Sequence, residues 1–506
     1  MSAVVVPTEE NGQSPYRRRA LAWAFYDWAN SAVVTLIIAA VFPVFYNGIA
    51  QTALGDQAAS AYSFSVSLAL LLSAVAGPII GTLSDITGRR KFNLIVATTM
   101  GAIAVALMVT IQDGAWQWAS ILFIGTQLFL NISLGLYDSL LSHVAPENQR
   151  DRLSALGYSL GYFGGGLQLA ISVVIILMWE KLGFASRGDA TRVTLIMSGV
   201  WWLLFALPLF LLVPEPPATP LKEGTSRNAI SDTFTRLRKT FGEIRGYSEL
   251  FKMLIAFLVY SEGIGTIIQL ATTYGRQQVG LDDTTLIGAL LLTQFVAFPY
   301  ALMYGRFPEE QNKQRTFFVA LICWTAITFP IMGVFAAAGN ISTNTTFLLI
   351  GVNQVVGIAF SWFVGRTLVR PLATRLTTKT SILFGLGIYT VIAIWGFFLY
   401  TAAEFWMLAF LVGTVQGGTQ AMSRSLYSKL SPRSKSGEFF GFYGFSDKFA
   451  GILGPLLFGV VGLSGNLRPS ILSVVIFFVL GGLLLTRVNE RVGHQQAEAG
   501  EAAAGD

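Results

Sequence analysis

The chain has 506 residues, 53% of them hydrophobic and only 12% charged, with 34 Lys and Arg against 28 Asp and Glu. That balance is poorly suited to a water-soluble globular protein of this length. The pI of 9.3 does not point to nucleic acid, because no loop joins a basic run to interleaved aromatics. One cysteine, Cys323, and two histidines, His143 and His494, leave no disulfide framework and no His-rich metal site.

Residues 1–19 are polar, end in Arg17, Arg18 and Arg19, and lead straight into an apolar stretch with no cleavable signal. Apolar stretches then recur at 20–45, 62–82, 92–111, 118–142, 153–179 and 193–213. After a long loop they resume at 251–272, 285–304, 316–337, 345–366, 380–400, 404–428, 438–462 and 468–486. A helix of about 20 residues crosses a hydrocarbon core of ~30 Å. Strand alternation is absent, and a backbone in lipid must satisfy its own hydrogen bonds. The expected fold is therefore an all-α polytopic membrane protein with 14 transmembrane helices.

Of the 34 Lys and Arg, 27 lie at the termini and in alternate gaps, 5 lie in the other gaps, and Arg424 and Lys448 fall inside spans. This bias predicts both termini on the cytoplasmic side of the membrane, where basic loops face an anionic leaflet. The loop 214–250 opens with Pro214-Glu215-Pro216-Pro217, and its mixed-charge stretch Phe234–Tyr247 is expected to lie as a short surface helix. It divides a six-helix bundle, 20–213, from a second bundle, 251–486. Two bundles around a central cavity are a common carrier plan. Residues 487–506, ending in an Ala-, Glu- and Gly-rich run from His494, are expected to be disordered.

The second bundle holds eight stretches rather than six. Gln294 is followed after 11 residues by Gly305-Arg306, and Gln354 by Gly365-Arg366, an offset of 60. This reads either as a tandem copy of one helix hairpin, placing an inserted pair at about 306–365, or as chance similarity between two apolar hairpins.

Ionisable side chains in mid-membrane cost about 2.5–3.5 kcal/mol each on insertion scales, so each is a candidate for function. In the first span Asp27, Asn30 and Ser31 share one face, with Asp27 about 12 Å beyond Arg19 along a helix. Asp27 is a candidate for proton exchange, or else a headgroup-level or capping carboxylate. In the fourth span Gln127, Asn131 and Asp138 share a face. Asp138 is expected to pair with the Arg150/Arg152 loop, and Asn131-Ile-Ser reads as a polar helix contact rather than a glycosylation site.

Glu262, Thr266, Gln269 and Thr273 form a polar stripe along an otherwise apolar helix, which reads as cavity-lining. Desolvation of Glu262 suits it to proton uptake near neutral pH, or it is a buried neutral structural carboxyl. Gln416, Gln420 and Arg424 recur at four-residue steps, and Lys448 lies about ten residues into the next span. Arg424 and Lys448 suit a substrate carboxylate, or serve as static partners of Asp447 or Glu438. Gly157, Gly161 and Gly165, and likewise Gly437, Gly441 and Gly444, permit close helix approach. Pro43, Pro299 and Pro455 can kink helices.

Gly81-Thr-Leu-Ser-Asp85-Ile-Thr-Gly88-Arg89-Arg90-Lys91 resembles the loop signature of the major facilitator superfamily. Gly81, Leu83, Asp85, Gly88, Arg89 and Arg90 match; Ile86 departs, since a basic residue is usual there. A narrower resemblance rests on Tyr26-Asp-Trp-Ala-Asn-Ser31, Gln416-Gly-Gly-Thr-Gln-Ala-Met-Ser-Arg-Ser-Leu-Tyr427, Glu438-Phe-Phe-Gly-Phe-Tyr443 and Lys448-Phe-Ala-Gly-Ile-Leu-Gly-Pro-Leu-Leu-Phe-Gly459. Together they resemble the vacuole effluxer-like, autophagy-related permease branch of that superfamily over most of 20–486. The stretch 306–365 departs from its usual twelve-helix plan.

The resemblance implies the facilitator fold of two helical bundles and a gating loop in which Asp85 contacts the other half. The reading of Arg89, Arg90 and Lys91 as a positive-inside anchor stands beside it. It also implies amino acids among the substrates, and it strengthens Glu262 as a coupling carboxylate. No nucleotide-binding loop and no hydrolase or metalloprotease motif is present, so an enzyme and a cofactor are not expected.

The reading is a secondary transporter, proton-coupled, moving a small polar solute by alternating access in a bacterial inner membrane, as a monomer among lipids. Glu262 and Asp27 are its coupling candidates. Lys448, Arg424, Gln420, Gln269 and Asn30 are its site-wall candidates. The competing reading is a non-transporting receptor or scaffold in a transporter-derived fold, with 214–250 as partner surface. Substrate-dependent thermal stabilisation separates the two.

Overall fold

Prolines, glycines and caps set the helix ends. A computed structural model describes residues 9–218, 233, 235, 244–309, 314–339, 341–449 and 467–505. The first-half helices are α1 (Glu9–Val33), α2 (Ala58–Thr87), α3 (Arg90–Leu107), α4 (Trp116–Ser139), α5 (Glu147–Leu177) and α6 (Arg187–Leu212). A π-helical turn, Val34–Ala40, and a helix, Phe42–Leu54, with Pro43 in its first turn, lead from α1 to α2. The second-half helices are α7 (Ser248–Tyr274), α8 (Asp283–Tyr304), α9 (Arg315–Gly339), α10 (Thr343–Phe360), α11 (Thr378–Phe397), α12 (Ala402–Leu430), α13 (Ser436–Phe449), α14 (Val475–Thr486) and α15 (Glu490–Gly505).

Helix α2 stops at Gly88, whose φ of 64° lies in the left-handed region that glycine enters at little cost. Glu215 receives the amides of Lys91 and Phe92 at 2.6 and 3.0 Å, capping α3 with a residue from the start of the long loop. Capping boxes at Thr377/Thr380 and Thr401/Glu404 start α11 and α12.

Packing repeats between the halves. In the first, α1 packs on α5 and α6, α4 on α2 and α3, and α3 on α6. In the second, α7 packs on α14, α12 on α8 and α11, and α11 on α14. Helices α7, α8, α11, α12, α13 and α14 thus follow the pairing of α1–α6. Helices α9 and α10 stand outside that pattern, and the α10 span is only 22% buried, the least of those long and apolar enough to cross a membrane. One apolar core lies within 20–213, and the other within 247–488, to which Ala155 also contributes. The halves meet where α2 packs on α13 and where α5 packs on α8 and α12.

The all-helical architecture is as expected, and no strand occurs among the described residues. Twelve helices among these residues are long and apolar enough to span a membrane; the expected spans at 404–428 and 438–462 are not among them. Helix α12 is 29 residues long, but nearly all of it is buried by other helices. Shielded from lipid, it carries Gln416, Gln420, Ser423, Arg424 and Ser425, which lower its hydropathy. The second expected span continues past α13 into residues 450–466, outside the described ones, as is Pro455. Of the surface helix expected at 234–247, only Thr235 and a turn at Ile244–Tyr247 are described.

Two tails differ from expectation. Helix α1 starts at Glu9, inside the polar segment. Residues 490–505 are not disordered but form α15. Alanine favours helix, and docking supplies what composition lacked. Gln496 bonds the amide of Glu249 and the hydroxyl of Ser248, and Glu501 accepts the amide of Ser434 at 2.9 Å. His494 meets Glu147 of the first half. Helix α15 therefore touches both halves.

Candidate functional site

Arg424 lies at the centre of the contact between halves. Its α12 position follows Gln416 and Gln420 at helical steps, and its side chain is 2% exposed. Nη2 donates to Asp27 Oδ2 at 2.9 Å and to the Ser154 carbonyl at 2.9 Å; Nη1 donates to Asp138 Oδ1 at 3.0 Å; Nε donates to Ser154 Oγ at 2.9 Å. Ser154 in turn donates to the Ala421 carbonyl. The Tyr137 hydroxyl donates to Asp27 Oδ2 at 2.9 Å. The rings of Tyr158, Trp23 and Tyr137 surround the guanidinium carbon at 4.2, 4.8 and 5.5 Å.

This cluster joins α1, α4 and α5 of one half to α12 of the other. Glycine makes room for it. A Cβ on Gly157 would fall on Asp27 Oδ2 and within 2.9 Å of Arg424 Nη2. Gly161 and Gly165 bring α5 against Ser31 of α1 and Thr35 of the π-helical turn that follows it, the close approach their spacing predicts.

Two further polar layers close the same end. In one, Asp151 at the start of α5 accepts from Lys429 at 2.5 Å, Ser425 at 2.7 Å and Thr378 at 3.1 Å. Neighbouring Arg150 donates to the Ser428 carbonyl at 2.7 Å. In the other, Asp85 accepts the backbone amides of Gly437 and Glu438 at 3.0 and 2.9 Å, at the start of α13 in the opposite half. Arg90 Nε bonds Asp85 Oδ1 at 2.5 Å, and its Nη2 reaches the carbonyls of Arg433 and Ser434 at 3.3 Å. Arg90 also meets His143, which contacts Ser436 Oγ at 3.1 Å. Gly81 lies against Gly437, and Gly441 against Gly77 and Pro78. Nothing described lies within 4 Å of a Cβ on Gly444, so the expected glycine stripe on α13 works at two of its three positions.

Asp85 thus holds a helix N-terminus in the partner bundle, and Arg90, 1% exposed, is part of that bridge rather than only a headgroup anchor. Lys91 donates to the Phe210 carbonyl, and Arg89 stands over the Phe92 ring. Asp85→Ala removes two amide caps and the carboxylate partner of a buried arginine. A lost cap costs about 1–2 kcal/mol. We expect a drop of several degrees in the thermal midpoint by scanning fluorimetry, with Asp85→Asn falling between it and the wild type; an unchanged midpoint for Asp85→Ala would contradict the latch.

The other candidates divide. Arg424 pairs with Asp27 and Asp138, whereas Glu438 was one of its possible static partners and the Asp447 side chain lies outside the described residues; Asp138 reaches α12. Asn30 is buried and donates to the Tyr26 carbonyl at 2.7 Å. Gln420 accepts from Tyr162 at 2.5 Å, a further α5–α12 link. Asn131 donates to Ser73, the helix contact expected of it. Glu262 is 1% exposed, with Thr266 buried one turn on and bonded to its carbonyl. The side chains of Gln269 and Lys448 lie outside the described residues.

Tyr247, just before α7, meets Phe439, and Phe257 stacks on Tyr443, so α7 and α13 pack together. Glu262 and Lys448 each stand five residues beyond the stacked pair. Sequence reasoning missed Asp151, Lys429, Ser154 and Tyr137. The first two sit at span ends, where a charge attracts no notice, and only the length of the stretch read at 153–179 hinted at a helix longer than the hydrocarbon core requires.

A family model described as vacuole effluxer Atg22 like matches residues 55–347 and 334–498. The MFS-type transporter YxiO of Bacillus subtilis is 30% identical over 473 residues, covering 93% of this chain and 94% of that protein. Autophagy-related protein 22-1 of Aspergillus niger is 23% identical over 351 residues, 68% of this chain and 48% of that protein. The chain thus matches about half the length of that fungal relative. Among solved structures, the proton:xylose symporter XylE superposes with a TM-score of 0.60 at 15% identity, covering 96% of this chain and 99% of that one. The transporter FucP, in an outward conformation, gives 0.59 at 12% identity, covering 94% and 99%. At these identities the superpositions establish the fold.

Proposed function

We propose a specific carrier mechanism for this chain, which belongs to the vacuole effluxer Atg22-like family of the major facilitator superfamily. It moves a small polar solute across a membrane by rocking its two bundles, with proton coupling. The observation that carries this reading is the Arg424 cluster. Every carboxylate in it lies on the first bundle and the guanidinium lies on the second, so it can persist only while the halves touch at this end. Together with the Asp85 and Asp151 layers it forms a gate whose bonds must break for this end to open.

We place this end and both termini in the cytoplasm, since Arg17–Arg19, Arg89–Lys91 and Lys429–Lys435 gather there. An opening outward in this state fits the outward conformation of the FucP structure. Glu262, buried on α7, is the coupling carboxylate. Uptake and release of a proton at this carboxyl accompany rocking. Amino acids are the first solutes to test. Helices α9 and α10 are the inserted pair, because α7, α8, α11, α12 and α14 reproduce the pairing of α1, α2, α3, α4 and α6 without them.

The test is transport into proteoliposomes. A pH gradient is expected to drive accumulation of an amino acid, and Glu262→Gln to abolish accumulation while sparing exchange at equal pH. Full gradient-driven accumulation by Glu262→Gln would remove that residue's role. Indifference of the wild type to the gradient would remove coupling altogether.

A further inference from the structure

We propose that the first bundle carries a binding seat for a guanidinium or primary ammonium group, and that Arg424 is its occupant only while the halves are closed at this end. The inference deepens the carrier reading by naming a substrate class, and it rests on that reading for the opening of the halves. The seat is built from one half alone. It comprises the carboxylates of Asp27 and Asp138, the Ser154 carbonyl and hydroxyl, and the rings of Trp23, Tyr137 and Tyr158. Its occupant comes from the other half. The arrangement has the parts of a cation-recognition site: a bidentate-capable donor fork against carboxylates, and aromatic faces around the charge.

A static arginine needs one carboxylate for neutrality, and this one has two within 3.0 Å. Ring placement points the same way. Tyr137 also donates to Asp27, and Trp23 stacks on Tyr137 with centroids 4.4 Å apart while its Nε1 donates to the Tyr137 carbonyl at 3.1 Å. The walls are therefore held by bonds within the first bundle and do not need Arg424 for their shape.

When α12 withdraws, the carboxylates and aromatic faces stay behind. A solute bearing a guanidinium or ammonium replaces what Arg424 takes away, and by binding the open form better than the closed one it shifts the population toward opening. Arg424 in turn displaces the solute as the end closes, so release is coupled to the formation of the gate. Solutes without a cationic head gain none of this.

The experiment uses full-length protein in detergent and reads thermal midpoints. On Arg424→Ala, guanidinium chloride at low millimolar concentration is compared with urea, its neutral isostere, and with equal sodium chloride. On the wild type, agmatine is compared with L-citrulline, and each measurement is repeated with Asp138→Asn. Guanidinium is expected to raise the Arg424→Ala midpoint by several degrees where urea and salt do not. Agmatine is expected to raise that of the wild type above L-citrulline, and Asp138→Asn to remove both effects.

Guanidinium acting no better than urea, or agmatine no better than citrulline, overturns the proposal. So does an agmatine effect that survives Asp138→Asn, because the cation then binds elsewhere. If Arg424→Ala does not fold, the wild-type pair and Asp138→Asn decide the matter alone. Absence of transport for every solute would count against the carrier and leave the binding result standing.

Discussion

Arg424→Ala is expected to lower the thermal midpoint more than any other single substitution in this protein and to reduce transport by two to three orders of magnitude. The side chains of Arg424, Asp27 and Asp138 are 2%, 9% and 15% exposed, so little water is at hand to solvate the carboxylates once the guanidinium is gone. Removing one partner of a buried ion pair costs about 3–5 kcal/mol. The cost falls on the closed state alone, because Arg424 belongs to the opposite half, so the equilibrium between closed and open forms moves by the same amount. Packing loss is separable from charge loss. Combining Arg424→Ala with Asp27→Asn and Asp138→Asn should recover most of the stability. A triple variant no more stable than Arg424→Ala would mean that the guanidinium acts by filling space. The measurements are scanning fluorimetry in detergent and uptake in proteoliposomes.

Gly81→Val should cut transport by about tenfold or more with a smaller loss of stability. A Cβ at this position falls on the Gly437 carbonyl oxygen and lies 2.8 Å from the Gly437 carbonyl carbon and 3.3 Å from the Glu438 nitrogen. All three are backbone atoms and cannot rotate aside. Helices α2 and α13 must separate, stretching the 3.0 and 2.9 Å bonds from Gly437 and Glu438 to Asp85. Overpacking typically costs about 1–3 kcal/mol, here charged to the state in which the halves touch. Gly387→Val is the control, since a Cβ there meets nothing within 4 Å. Equal transport by the two variants would show that the α2–α13 contact is not needed for the cycle.

Much of this was legible residue by residue. Polarity marked α12 and α7 as inner helices, the glycine spacing of α5 announced its close contact with α1, and the Gly81–Lys91 motif pointed Asp85 at the opposite half. The partners of Arg424 were not legible. Asp27 lies 397 residues away and Asp138 286 residues away. The nearer Glu438 was a reasonable choice until packing showed which helices face α12. Asp151 and Lys429 drew no attention because charges near span ends cost little. Residues 487–506 looked disordered because composition omits the surface onto which α15 folds.

The chain by itself determined its apolar helices, the charges it can bury only at a cost, and the glycines that let helices approach. Each of these follows from transfer into lipid or from local backbone freedom, quantities that add along the sequence. Tertiary structure alone decided which charge meets which: that Arg424 crosses to Asp27 and Asp138, that Asp85 holds the start of α13, and that α9 and α10 stand aside. Pairing energies depend on distance in space, falling steeply with separation, and a linear order of residues does not contain those distances.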